Sequence, residues 1–378
     1  MKKVILSLAT FVCVIFISCE KDIIEPDAVV QKDIANRTTE SIISDIHGIS
    51  INSGAPSNCA NNILVFPSWE SYYQTIEQLD NMVEESIDAY DASIGADQLN
   101  DEQYDAQCEI DGFDENNVLI DFENEKAFCS LRKKIAAEEI NWLDQQGDGE
   151  WNMNNDPDNH FIDDETERTL LNEQVQVAIR DRKGIVIYQF NNDSGNYTAV
   201  YNLDMGALQQ INAGTIPTNN PNVVNVIVRP PLPFQILCKD DVTRVKNHYV
   251  GDERLKQTSK IRREVLGLKA DSKIKAKTKG YKKKRNGKWA GARRLISVGI
   301  CGQTFNTPGI AYNQCLNVYN DINQPKERRK RTVKAKVTIP YHDGTLTQVL
   351  QYLTVRDNEL YSHHKRGAVI VIDDFYDM

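Results

Sequence analysis

Residues 272–289 read SKIKAKTKGYKKKRNGKW. Lys273, Lys275, Lys277 and Lys279 alternate with Ser272, Ile274, Ala276 and Thr278. Successive side chains of a strand point to opposite faces, so the alternation predicts a strand with four ammoniums on one side. Lys282, Lys283, Lys284 and Arg285 carry the basic run to Asn286 and Gly287, a pair that suits a tight hairpin turn because both tolerate positive φ. Arg293 and Arg294 then fall on the partner strand. Working outward, residues 256–265, 295–301, 333–341, 346–355 and 368–372 show the same short alternating or apolar runs. Residues 238–378 are therefore expected to form an all-β, sandwich-like C-terminal domain.

Upstream, residues 215–237 carry Pro217, Pro221, Pro230, Pro231 and Pro233, the composition of a semi-rigid connector. Before that connector the period changes. An apolar strand at 63–66 is followed by Pro67 and Ser68, which open a helix with Trp69, Tyr72, Ile76, Leu79, Val83 and Tyr90 at three-four spacing. Asn100 caps a second helix that stops before Gly112. A third is expected over 122–143, with Phe128, Leu131, Ile135 and Trp142 on one side, and a short one over 163–171. Strands follow at 175–179, 185–190 and 197–201. Residues 61–214 thus read as an α+β N-terminal domain, helices plus a small antiparallel sheet, whose aromatic stripes are core and not ligand sites.

The two halves differ in charge. Residues 236–378 hold 30 Lys and Arg against 14 Asp and Glu, whereas residues 1–235 hold 14 against 40. The net charge of −10 hides a basic half and an acidic one.

The chain begins with Lys2, Lys3 and an apolar run from Val4 to Ile17. This is the layout of an export signal and is short of the roughly 20 residues a spanning helix needs. Phe16, Ile17, Ser18 and Cys19 resemble the lipobox of bacterial lipoproteins, with Phe16 where Leu is usual. The resemblance implies cleavage after residue 18, acylation of Cys19, and a lipid membrane partner through a stable multi-chain anchor. Residues 19–60 read as a flexible tether. Glu20, Lys21 and Asp22 after the cysteine are similar to the surface-export signal of Bacteroidota lipoproteins, so an outer-membrane, surface-facing address is expected, with a plain solvated tether as the alternative.

Beyond Cys13 in the signal and Cys19, six cysteines remain: Cys59, Cys108, Cys129, Cys238, Cys301 and Cys315. An oxidising compartment permits up to three disulfides, and Cys301 with Cys315 is the expected pair, since Pro308 and Gly309 lie between them. Buried free thiols are the alternative. No CxxC spacing points to zinc.

The stretch Phe128, Cys129, Ser130, Leu131, Arg132, Lys133, Lys134 and Ile135, with Trp142, Leu143, Asp156, Pro157, Asp158, Leu170, Leu171, Asn172 and Glu173, resembles a group of uncharacterised Bacteroidota lipoproteins. Tyr281 to Lys284 with Gly287, Lys288 and Trp289 are similar to the same group's second half. The resemblance implies an envelope protein with a domain of unknown function and brings no catalytic residue.

Three candidate sites emerge. The face of Lys273, Lys275, Lys277, Lys279, Lys282, Lys283, Lys284, Arg285, Arg293 and Arg294 would attract a polyanion such as an anionic glycan, with Tyr281 and Trp289 able to stack on sugars or bases if exposed. The same lysines would equally guard a sheet edge or dock on the acidic half. Asp144, Asp148 and Glu150 around Gly149 resemble the opening of a calcium loop, but Asn155 occupies the position of the closing glutamate, which Asp156 or Asp158 could replace; an acidic, Asn-rich surface loop is the alternative. His363 and His364 are adjacent and would face opposite sides of a strand. Nothing matches HExxH, GxSxG, a phosphate loop or GxGxxG, and no cofactor beyond calcium and no specific nucleic acid is expected. The sequence therefore predicts a non-catalytic, envelope-anchored binding or adhesion module for polyanions. A structural or assembly protein with self-complementary charged domains, able to meet an envelope protein partner, is the alternative, and a secreted hydrolase ranks third.

Overall fold

A period of 3.6 governs the first half of the chain and a period of 2 the second, and each produces its own kind of layer. The computed structural model describes residues 46–50, 62–182, 184–191, 196–226, 242–250, 253–266, 269–308, 319–343, 351–354 and 359–375. The signal, Cys19, Cys59, Cys238 and Cys315 lie outside the described residues.

Helix α1, Trp69–Ile94, starts where the Ser68 hydroxyl accepts from the Ser71 amide and stops at Gly95, whose φ of 62° ends the ladder. Helix α2, Asp101–Asp111, carries a reciprocal capping box between Asn100 and Gln103 and ends at Gly112. The single helix expected over 122–143 is instead two, α3 at Asn117–Glu125 and α4 at Leu131–Asp144. Ala127 adopts a φ of 47° at the break, and Ser130 caps α4 by accepting from the Lys133 amide at 3.0 Å. Glu123 holds the two together through a buried pair with Arg132 at 2.5 Å. Short helices α5, Glu165–Leu170, and α6, Met205–Asn212, are capped by Asp164 and Asp204; α6 has no counterpart in the expected elements.

Strands β1 (His47–Ser50), β2 (Asn62–Phe66), β3 (Gln176–Asp181), β4 (Gly184–Phe190), β5 (Tyr197–Val200) and β6 (Val223–Val226) form one sheet in that order. β1 falls within the span read as tether. β2 and β3 are parallel while the other neighbours are antiparallel, so the small antiparallel sheet is corrected to a six-stranded mixed one. The reason is topological: α1 to α5 all lie between β2 and β3 in sequence, and such a long crossover returns the chain in the same direction. Ile63, Val65, Ala178, Ile187 and Val200 pack there with Ala207, Leu208 and Ile211 of α6.

The basic half supplies β7 (Val242–Val250), β8 (Glu253–Leu266), β9 (Lys269–Lys283), β10 (Trp289–Gly291), β11 (Arg294–Pro308), β12 (Tyr319–Lys330), β13 (Thr332–Asp343), β14 (Gln351–Thr354), β15 (Leu360–Arg366) and β16 (Val369–Asp374). One antiparallel sheet runs β10-β9-β8-β7 with β13 also on β9; the other runs β12-β11-β15-β16 with β14 also on β11. Residues from both build a single apolar cluster: Ile261, Ile274, Ala276, Ile296, Val298, Ile300, Val333, Ala335, Leu360 and Phe375. The Asn286–Gly287 turn forms as expected, with Gly287 at φ 80° and the Lys284 amide donating to the Lys288 carbonyl at 2.7 Å. The helical layer and the basic strands belong to one compact unit, Ser44–Met378. No described helix is long and apolar enough to cross a membrane.

Gly302 on β11 sits at φ +127°, and an added Cβ would lie 2.0 Å from the Glu359 carbonyl oxygen. Side chains avoid that φ, and the obstacle is backbone that cannot rotate away. Gly302→Ala is expected to cost at least about 2 kcal/mol of unfolding free energy, read as a lowered urea midpoint at unchanged slope.

Candidate functional site

The expected alternation of residues 272–279 is realised, and the two neighbouring strands share it. Ile274, Ala276 and Thr278 of β9 point into the core with Ile261 of β8 and Val333 and Ala335 of β13, while Lys273, Lys275, Lys277 and Lys279 turn outward. The registers place Lys260, Lys275 and Lys336 in one row, Thr258, Lys277 and Lys334 in the next, and Lys256, Lys279 and Thr332 in a third. Three strands thus pave one sheet face with ammoniums.

That face is covered. Residues 156–164, which link α4 to α5, lay carboxylates on it. Asp158 is the hub: its side chain meets Arg168 at 2.9 Å, Lys277 at 3.0 Å, Lys256 at 3.2 Å and Lys279 at 3.6 Å. Asp156 pairs with Lys256 at 2.7 Å, Glu139 of α4 with Lys279 at 2.6 Å, Asp163 with Lys275 at 2.6 Å and Asp164 with Lys334 at 3.4 Å. Lys256 and Asp158 are only 1% and 2% exposed. Local chemistry prepares the loop: Asp156 accepts from the Asp158 amide to open a short 3-10 turn behind Pro157, and Arg168 donates to the Ile162 and Asp158 carbonyls.

The shifts follow from this geometry. Burial alone would raise the Asp158 carboxyl, but Lys277, Lys279, Lys256 and Arg168 hold it well below the usual range. Asp163 is likewise depressed against its burial by Lys275, Lys260 and Lys277. Of the cations at Asp158, Lys256 also meets Asp156 and Lys279 also meets Glu139, whereas among the described residues Lys277 forms its ion pair with Asp158. Burial lowers its ammonium to about 8, and Lys256, Arg168 and Lys279 add to the effect in spite of Asp158. Lys279, served by both Asp158 and Glu139, is instead raised.

An aromatic wall flanks the charges. Tyr281 and Trp289 are buried against Trp142 and Trp151, which corrects the expectation that they offer open stacking surfaces. The Arg254 guanidinium lies 4.1 Å from the Trp151 ring and 4.8 Å from Trp289, and donates to the carbonyls of Asp148 at 3.0 Å and Gly149 at 2.7 Å. Two carboxylates of the loop read as a calcium site meet lysines of the β9–β10 hairpin. Asp148 pairs with Lys283 at 2.6 Å, Asp144 pairs with Lys288 at 2.6 Å, and Glu150 is exposed. Among the described residues no group of three or more His, Cys, Asp or Glu is placed to hold a metal.

The remaining basic residues are divided. Lys282 and Arg294 meet Asp105 of α2, Arg294 also meets Glu253, and Arg293 donates to the Phe113 carbonyl at 2.7 Å. Lys273 is buried. Lys284 and Arg285, at the hairpin tip, stay exposed. The picture of one solvent-facing stripe of ten cations is thus corrected: desolvation would be prohibitive without counter-charges, and the acidic half provides them. Lys256 and Arg168 were not among the expected site residues, and Asp158 was expected only as a substitute calcium ligand. The signal was Asp156, Pro157, Asp158, a capped acidic turn opposite an excess of lysine.

His363 and His364 face opposite sides, as adjacency requires. His364 is in the core with Thr278 Oγ1 at 2.8 Å from Nδ1 and the hydroxyls of Ser259 and Ser362 at 3.2 and 3.3 Å from Nε2; burial pushes it down to about 3. Cys301 is half-buried with Sγ 3.9 Å from His363 Nδ1; its expected pairing with Cys315 lies outside the described residues. Cys108 is a buried thiol packed with Tyr104 and Ala96, so the six mature cysteines do not form three disulfides.

Two measurements test the seam. Asp158→Asn leaves four cations short of their hub and is expected to cost about 3–5 kcal/mol, whereas Lys277→Met removes the ammonium that burial disfavours and stays within about 1 kcal/mol of the parent in urea unfolding. Depressed carboxyls contribute stability above their unfolded pKa and lose it as pH falls, so melting temperature should drop below about pH 4. Lys277 binds its proton more weakly folded than unfolded, so stability should rise from about pH 8 towards 10, and Lys277→Met should flatten that rise.

No family model matches this sequence. No curated protein matches it either. Among solved structures the chain is similar to a crystal structure of a DUF4848 family protein from Bacteroides thetaiotaomicron, over 82% of this chain and 95% of that one, at 11% identity and a TM-score of 0.17. So low a score carries no argument about fold or activity.

Proposed function

We propose that this chain is a non-catalytic structural or assembly module of the bacterial envelope, tethered by lipid at Cys19 to the outer membrane. In this reading an acidic α+β domain of residues 61–214 and a basic, sandwich-like domain of residues 238–378 are each other's principal partner. One observation carries it: Lys256 of β8, Lys275, Lys277 and Lys279 of β9 and Lys334 of β13 pair with carboxylates of the same chain in a largely buried seam. An adhesin for polyanions needs its ammoniums in water, where their field reaches a ligand. Buried pairs contribute little net stability but strongly disfavour any arrangement that separates them, which suits a rigid body displayed on a membrane.

Scanning calorimetry of the mature chain tests the reading. A single transition is expected, persisting in 1 M salt because buried pairs are weakly screened, with Asp158→Asn lowering the acidic and basic halves together. Two transitions that respond separately to that substitution would overturn it.

A narrower polyanion reading rests on Lys284 and Arg285, which are exposed and make no ion pair among the described residues. On it, the mature chain is retained on heparin at low salt, elutes at modest salt, and loses retention in the double substitution K284A/R285A. Absence of retention at low salt ends this reading.

A further inference from the structure

Strand β16, Val369–Asp374, ends one side of its sheet: it pairs with β15 and has no other strand neighbour among the described residues. Its sequence, VIVIDD, holds none of the Lys or Pro residues that keep sheet edges from adding to one another. Its inward-pointing charge, Asp373, meets Arg244 at 3.3 Å and Lys246 at 3.7 Å on β7, so it does not guard the edge either.

Hydrogen bonding fixes which residues of the edge are open. The Phe375 amide donates to the Leu360 carbonyl at 3.0 Å, and the pairing of Ile372 with His363 and of Ile370 with Lys365 continues from there without a shift. In an antiparallel ladder, bonded and non-bonded pairs alternate. Phe375, Asp373, Val371 and Val369 therefore bond to β15, whereas Ile370 and Ile372 direct their N–H and C=O groups to the open side. The same two residues carry side chains that are 59% and 64% exposed. Ile370 and Ile372 thus offer backbone groups and apolar surface together, which is what an added strand covers.

The strand's own sequence selects its complement. When two copies meet about a two-fold axis, even positions must face even positions, so that both isoleucine faces lie on one side and the open backbone groups match. Centring on Val371 sets Ile370 of each copy against Ile372 of the other, each pair exchanging both its ladder hydrogen bonds, and leaves Asp374 opposite Ala368. Centring on Ile370 would waste Ile372 on Ala368 at the turn, and centring on Ile372 would set Asp374 against Ile370. We propose that β16 is a homodimer interface, in which two copies pair antiparallel about Val371 and join their sheets into one. Lys365 and His363, beside Ile370 and Ile372 on β15, form its polar rim. A two-fold pair closes both edges and does not propagate. Dimerisation through β16 needs neither the lipid anchor nor the charged seam.

Sedimentation equilibrium of the mature chain with Cys19→Ser, which takes no lipid, tests this. The strip is narrow beside a standard interface, so a reversible dimer with a Kd of roughly 10–100 µM is expected. The double substitution I370K/I372K should weaken it at least tenfold at unchanged melting temperature, since both positions are exposed. Val371 meets its own copy in a non-bonded pair, where Cα atoms lie about 4.5 Å apart, within reach of a disulfide. Val371→Cys should therefore crosslink into dimers under mild oxidation, and Val369→Cys, which opposes Asp373, should not exceed the parent. A chain that stays monomeric at about 200 µM, a dimer indifferent to I370K/I372K, or crosslinking of Val371→Cys no faster than that of Val369→Cys overturns the assignment.

Discussion

The structure depends on neutralising a lysine-paved sheet face that the fold removes from water. An isolated ammonium in the interior costs several kcal/mol even after relaxation, and rows of them on adjacent strands repel one another besides. Asp158 answers this with one carboxylate shared among Arg168, Lys256, Lys277 and Lys279. The cost of burial is visible in Lys277, whose ammonium is lowered to about 8. Strand pairing, loop conformation and helix capping in this region all serve that arrangement.

Register shows how tightly the levels are tied. A slip of one residue in β9 would send Lys275 and Lys277 into the cluster now filled by Ile274 and Ala276 and would present apolar side chains to Asp158. The apolar core and the ion pairs therefore select the same pairing of β8, β9 and β13, each from its own face. The seam's cap on α5 joins in: Asp164 accepts from the Thr166 and Glu167 amides and also meets Lys334. A carboxylate at a helix N-terminus is favoured by the helix dipole as well as by the lysine, so one residue satisfies two local demands.

Much of this was legible in the sequence where the controlling interaction is local. Ser68, Asn100 and Gly112 set helix ends through their own backbones, Asn286 and Gly287 set a turn, and the alternation of residues 272–279 fixes which face holds lysine. What was not legible is long-range. The periodicity of 122–143 is continuous, and only the Glu123 to Arg132 pair and the Ser130 cap reveal a break. The parallel pairing of β2 with β3 depends on where the chain returns after five helices. The occupants of the lysine face lie about a hundred residues upstream in a loop whose composition reads as surface, and strand alternation says nothing about what covers a face. Trp289 and Tyr281 looked available for the same reason.

The charge split takes on a different meaning once the seam is in place. Left open, the basic half would act as a polyanion trap, because clustered ammoniums raise the local concentration of any anion. Closed by its own acidic partner, the chain as a whole keeps a net charge of −10, opposite in sign to the basic half. Cations at exposed positions, such as Lys284 and Arg285 at the hairpin tip, then act only within a Debye length, about 8 Å at physiological salt. At that range recognition requires contact geometry and not bulk attraction. Much of the large charge of either half is spent on holding the two together.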